Sequence, residues 1–206
     1  GFIPLFKNIN SKDPDIRDCL SYLLKRGIGN SDLWYYKLGT VKTGSLRRRI
    51  IIPSFDFDGE LNYYSGRSID NSSFKYINSK SKKKEIIFNE INIDWSSEVA
   101  IVEGPFDMFK CGFNTTCLLG SSLPLDSYLF KRIVSNKTPV LLCLDSDMQL
   151  KTRKIADNLL KYGVNVRILN VSGFSDVGEM TREIFLNRSK DAKQWTQNDS
   201  LKTKIS

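Results

Sequence analysis

Six acidic residues fall in three pairs along the second half of the chain: Glu103 and Asp107 in IVEGPFD, Asp145 and Asp147 in VLLCLDSDM, and Asp176 and Glu179 in GFSDVGEM. Each pair follows an apolar run: VAIV at 99–102, VLLCL at 140–144 and VRILNV at 166–171. A lone Glu-Gly after a strand is ordinarily a solvated cap, because charged side chains prefer the surface. Three acidic strand ends gathered at one sheet edge are different. Carboxylates at short range repel one another, and the usual relief is a retained proton or a bound divalent cation. Hard oxygen donors favour Mg²⁺ or Mn²⁺, and a chain without histidine or a C-x-x-C pair is not expected to hold zinc. In extended backbone, residues two apart share a side, so Asp145 and Asp147 are expected to face one crevice together.

The elements that would carry these acids follow from hydrophobic periodicity. Short apolar runs alternate with helical patterns at about 106–111 and at 150–162, where Ile155, Leu159 and Tyr162 share a face and Gly163 supplies a stop. Strand, helix, strand, helix predicts a parallel sheet with crossover helices, whose functional groups collect at the carboxyl ends of the strands. Upstream the grammar differs. Asp13-Pro14 opens a helix with Ile16, Leu20, Leu23 and Leu24 on one face and Gly27 to close it, and RIIIPSFDF at 49–57 turns through Asp58-Gly59 into ELNYYSGR. The expected fold class is α/β: a parallel-sheet domain over 97–188, preceded by a smaller basic α+β subdomain over 1–96. A polar tail, 189–206, is expected to be frayed, with at most a short helix.

Composition narrows the classes. With 206 residues, 40% of them hydrophobic, the chain can bury a core, and it has no apolar run long enough to span a bilayer. It reads as soluble. The four cysteines are expected to be reduced core residues, and the opening Gly1, in place of Met, predicts a piece of something longer. Between Lys42 and Lys84 ten Lys or Arg stand against four Asp or Glu. Lys80, Lys82, Lys83 and Lys84 read either as a solvated loop or as a surface for a polyphosphate backbone, which neighbouring Phe74 and Tyr76 would suit. Met108, Phe109 and Phe113 read as core, and Trp34, Tyr35 and Tyr36 as a small hydrophobic cluster on which a base could also stack.

Taken together, the Glu-Gly strand end with Asp four residues on and the following Asp-x-Asp resemble the Toprim domain of primases, topoisomerases and related nucleases. RGIGNSDLWYYKLGTV, RRRIIIPSFDFDGELNYYSGRSID and FKYINS resemble, in order and spacing, the basic subdomain that precedes Toprim in bacterial DnaG-type and phage primases. EGP-x-D at 103–107 and DVGEM at 176–180 are most similar to the T-even-type bacteriophage DNA primases. The likeness covers about residues 15–188.

That resemblance implies a divalent-metal-dependent enzyme that makes short RNA primers from ribonucleoside triphosphates on single-stranded DNA, in the cytoplasm of an infected bacterium. It implies a hexameric replicative helicase as partner, with no membrane role, and a zinc module upstream of this chain. Glu103, Asp145 and Asp147 are the implied catalytic residues. Asp107, Asp176 and Glu179 join them as metal ligands; around the last two, Ser175 and Gly178 depart from the bacterial motif. Arg67, Lys75 and Asn78 are implied to hold nucleotide or template, while Arg47, Arg48, Arg49, Lys82, Lys83 and Lys84 add backbone contacts. A topoisomerase would need a tyrosine on a further domain. A Toprim nuclease and a non-catalytic nucleic-acid- or helicase-binding module remain the alternatives.

Overall fold

The computed structural model describes residues 1–205. It divides into two units, 1–81 and 82–206, each with its own five-stranded sheet.

In the first unit β1 (Phe2–Pro4) is followed by α1 (Pro14–Lys25), α2 (Asn30–Tyr35), β2 (Gly39–Val41), β3 (Arg49–Phe55), β4 (Leu61–Ser68) and β5 (Tyr76–Asn78). The strands pair in chain order, all antiparallel. Helix α1 begins where the sequence says it should: the Asp13 carboxylate accepts from the backbone N–H of Asp15 and Ile16, and Pro14 occupies the first helical position. Between β3 and β4 the Asp56 side chain accepts from the N–H groups of Asp58 and Glu60, and Gly59 takes the positive φ of 83° that the turn requires. Arg48, just before β3, forks to Asp15 and Asp18 on α1 and to Asp70 beyond β4, at 2.7–2.9 Å.

In the second unit the order is β6 (Val99–Val102), β7 (Thr115–Cys117), α3 (Tyr128–Asn136), β8 (Val140–Leu142), α4 (Gln149–Lys161), β9 (Val166–Ile168), α5 (Arg182–Lys190), β10 (Lys193–Gln194) and α6 (Gln197–Ile205). The sheet order is β10-β9-β8-β6-β7, parallel except for β10. Ile101 lies opposite Leu142, and Leu142 opposite Ile168, so the three runs expected to end in acids are neighbours in register. Val99, Ile101, Val140, Leu142 and Val166 are buried with Leu129 and Ile133 of α3 and Ile155 and Leu159 of α4. Burial on both faces is why these strands read as unbroken apolar runs. Arg167 of β9 grips Glu98 with two hydrogen bonds, 2.8 and 2.7 Å, and donates a third to the Ser189 carbonyl.

Three features depart from the sequence reading. The helix expected at 106–111 is a 3₁₀ turn, Asp107–Lys110. Residues 82–96, read with the basic half, pack with the second unit: Ile87 enters its core, Asn89 donates to the Thr115 carbonyl, and Thr116 donates to the Phe88 carbonyl. The tail, expected to fray around a short helix, has its helix in α6 but also supplies β10 and Trp195 to the second unit; Ser206 lies outside the described residues. Trp195 is 7% exposed in the core, and its indole N–H donates to Asp157 on α4 at 2.8 Å. Among the described residues no helix is long and apolar enough to cross a membrane.

Replacing Trp195 with Ala removes a buried ring and orphans Asp157. The expected loss is about 3 kcal/mol from the second unit, read as a lowered urea midpoint; an unchanged midpoint would mean that this segment does not pack on the sheet.

Candidate functional site

Glu103 leaves the end of β6 directly. The chain then turns through Gly104-Pro105, and Asp107 folds back so that its Oδ2 accepts from the Gly104 N–H at 3.2 Å. On the neighbouring strand the ladder continues past β8, with the Cys143 N–H donating to the Ile101 carbonyl, which carries Asp145 to the level of Glu103. The Ser146 N–H donates to the Ser175 carbonyl, tying the loop after β8 to the loop after β9. There Asp176 caps the 3₁₀ turn Val177–Glu179, accepting from the Glu179 N–H at 3.0 Å.

Gly178 reveals how close these loops come. A Cβ at this position would lie 2.8 Å from Asp107 Oδ1 and 3.0 Å from Asp176 Oδ1, both inside van der Waals contact. Asp145 supplies the electrostatic counterpart. Desolvation, the charges of Glu103 and Asp107, a hydrogen bond with Glu103 and the charge of Asp176 together push its carboxyl up to about 7. Four carboxyl groups from three adjacent strand ends thus gather at one edge: Glu103, Asp107, Asp145 and Asp176.

Asp147 and Glu179 differ from these four in being exposed. The extended backbone that would have aligned Asp147 with Asp145 is replaced by a 3₁₀ turn, Ser146–Met148, and Asp147 is exposed. Glu179 is exposed as well, its carboxylate held by the Ser175 N–H at 2.8 Å, which keeps it below the usual carboxylate range. Among the described residues no group of three or more His, Cys, Asp or Glu side chains is arranged to hold a metal ion. The donor chemistry nevertheless fits a hard cation: all four gathered groups are carboxyls, and beside burial the charges of Glu103 and Asp107 raise Asp145, a repulsion that a cation would relieve.

The basic candidates have varied fates. Arg67 is half-buried, its Nε donating to the Tyr22 hydroxyl at 3.1 Å and its Nη1 to the Tyr76 hydroxyl at 2.7 Å, with the Tyr76 ring 4.8 Å beneath it. Lys75 and Asn78 are exposed on and beside β5. Arg47 pairs with Asp15, and Arg48 is committed to its three aspartates. Arg49 is 6% exposed and donates to the carbonyls of Ser45, Gly66 and Lys75, so it serves the interior of the sheet and not a surface contact. Lys82 and Lys84 make exposed ion pairs with Glu85 and Asp126, while Lys83 is exposed.

Met108 and Phe109 are core, as expected, but Phe113 is exposed, as is Trp34 beside a buried Tyr36. All four cysteines are free thiols. Two features escaped the sequence reading: Gly178 as the space into which two carboxylates fit, and a cavity of about 460 Å³ beside Asp145. Leu142, Leu144, Ile168, Trp195 and Arg153 line that cavity. Its wall depends on Trp195, whose place on β9 no local pattern signals.

No protein-family model matches the chain. The DNA primase of Clostridium acetobutylicum is 27% identical over 184 residues, 82% of this chain and 31% of that protein. The DNA primase of Thermotoga maritima is 31% identical over 146 residues, 64% of this chain and 26% of that protein. A solved DnaG primase catalytic domain bound to single-stranded DNA superposes with a TM-score of 0.70 at 18% identity, covering 92% of this chain and 78% of that one. The fold is that of the DnaG primase catalytic core. This chain spans only 31% and 26% of the lengths of these two primases.

The raised Asp145 has a pH signature in metal-free protein. Its folded-state value near 7 lies above the unfolded value of about 3.9, so the folded state binds the proton more tightly. This group therefore lowers stability progressively as pH rises from 4 to 7, and by its full amount above 7. Because the site is half open to solvent, the effect is on the order of 1 kcal/mol. In EDTA, Asp145→Asn should raise the urea midpoint at pH 8 and leave it nearly unchanged at pH 4; equal gains at both would show that the carboxyl is not under strain.

Proposed function

We propose that this chain is the catalytic core of a DNA primase, synthesising short RNA primers from ribonucleoside triphosphates on single-stranded DNA during phage replication in an infected bacterial cell. The observation that carries the reading is the gathering of Glu103, Asp107, Asp145 and Asp176 at one sheet edge, in a chain with the primase-core fold. On this reading the acidic unit is a Toprim domain, and the basic unit is the subdomain that precedes it in primases.

Glu103, Asp107, Asp145 and Asp176 would hold Mg²⁺ or Mn²⁺, which when bound supplies positive charge to triphosphate oxygens and lowers the pKa of an attacking 3′-hydroxyl. Glu103 stands at the end of a rigid strand and is the group assigned to accept the hydroxyl proton or to orient the cluster. Asp145, hydrogen-bonded to Glu103, fixes its rotamer. Arg67, its guanidinium plane held by two tyrosine hydroxyls, is assigned with Lys75 and Asn78 to the triphosphate or the template backbone. Asp147 and Glu179, exposed, take outer positions in the same acidic group. A hexameric helicase is the assigned partner.

Incubation with single-stranded DNA, labelled ribonucleotides and Mg²⁺ tests the reading. Labelled oligomers are expected; degradation of the template alone would replace it with a nuclease. Glu103→Gln and Asp145→Asn should each reduce synthesis about a hundredfold or more, whereas Asp147→Asn should cost less than about tenfold.

Gly178→Ala offers a separate check, because its methyl group would push Asp107 and Asp176 apart. Synthesis should fall about tenfold or more, with a stability change within about 1 kcal/mol. Full activity in this variant would mean that the close approach of these two carboxylates is unimportant.

A further inference from the structure

Helix α2 buries Leu33 and Tyr36 but leaves the indole of Trp34 61% exposed. The groups ranged against the ring are cationic. Lys37 Nζ sits 3.5 Å from the centre of the Trp34 ring and 5.7 Å from that of Phe6, and Lys7 Nζ lies 6.0 Å from the same Phe6 ring. Phe6 and Lys7 belong to the 3₁₀ turn after β1, which packs on α2, so the two rings and two ammonium groups form one patch within the first unit.

Lys37 occupies this place against its backbone preference. It follows the C-cap of α2 with a φ of 54°, the left-handed region in which helices ordinarily end on Gly or Asn. A lysine there gives up conformational ease and sets its ammonium group on the indole.

We propose that Trp34, with Lys37, Phe6 and Lys7, is a stacking platform for bases of single-stranded DNA, on the edge of the sheet opposite Arg67, Lys75 and Asn78. Rings interleaved with ammonium groups match a polymer in which flat bases alternate with phosphates. An apolar protein surface would instead have to desolvate both lysines without compensation. The assignment rests on the reading that single-stranded DNA is this chain's template. It names a second contact for that strand, at the β1–β2 edge of the sheet.

The test uses the whole chain, in EDTA so that the acidic centre cannot contribute through a cation, and an oligo-dT of about 12 nucleotides. Bound DNA should quench the exposed Trp34, and Trp34→Ala should abolish that quenching and weaken binding roughly five- to a hundredfold, with Trp34→Phe intermediate. Lys37→Gly relieves the left-handed backbone, so thermal stability should hold or rise while affinity falls. Combined with Lys7→Ala, it should flatten the dependence of log affinity on log salt by about 1.4. Unchanged affinity in Trp34→Ala, or quenching that survives it, would overturn the platform. Because the assay involves no synthesis, failure here is distinct from failure of the acidic-site variants to make primers.

Discussion

The acidic unit is organised around a repulsion. Four carboxyl groups brought together on one edge would spread apart unless the backbone beneath them were rigid. The rigidity comes from β6, β8 and β9, three parallel strands hydrogen-bonded in register, the first two of them buried on both faces. Local amides absorb part of the charge: Gly104 donates to Asp107, and Glu179 to Asp176. Asp145 is partly desolvated, faces the charges of Glu103 and Asp107, and is hydrogen-bonded to another carboxyl, that of Glu103, which is why the strain collects on it. Gly178 completes the arrangement by leaving room where any side chain would wedge two of the acids apart.

The basic unit meets the opposite problem. Its local excess of cations overstates the positive surface, because two of the three consecutive arginines hold the fold together. Arg48, at a φ of 56°, joins α1 to the sheet through three aspartates, and Arg49 satisfies carbonyls in the sheet interior. The set proposed to meet a polyanion is smaller: Arg67 is clamped and Lys75 is exposed. A guanidinium held between two tyrosine hydroxyls loses little freedom on meeting a phosphate, which is the physical content of preorganisation.

Much of this was legible in the chain itself. The β3–β4 hairpin, α1 with its Asp13 cap, α4 and the three apolar strands follow from period, capping and turn chemistry, and their order predicts the parallel sheet. Strand β7 escaped because Thr115-Thr116-Cys117 is short and half polar; its hydroxyls are buried on the carbonyls of Cys111, Gly112 and Phe88, which only tertiary structure supplies. Helix α3 did carry a local signal, Ser127 capping Phe130, that the reading passed over. Of the site, the gathering of acids was readable from strand ends, whereas the turn that carries Asp147 was not. The alternation rule holds only while the backbone stays extended, and here a 3₁₀ turn begins one residue after Asp145.

Strand β10 gives the molecule a temporal asymmetry. The first unit is closed by residue 81, so its sheet can be completed as soon as that much chain has been synthesised. The far edge of β9, by contrast, is paired with Lys193 and Gln194, and Trp195 joins the core that β9 and α4 share. Until the ribosome has released those residues, the edge of a parallel strand stays open to any chain able to pair with it. The sheet that carries the acidic edge therefore gains its last strand late, at residue 193, whereas the basic unit ends at residue 81.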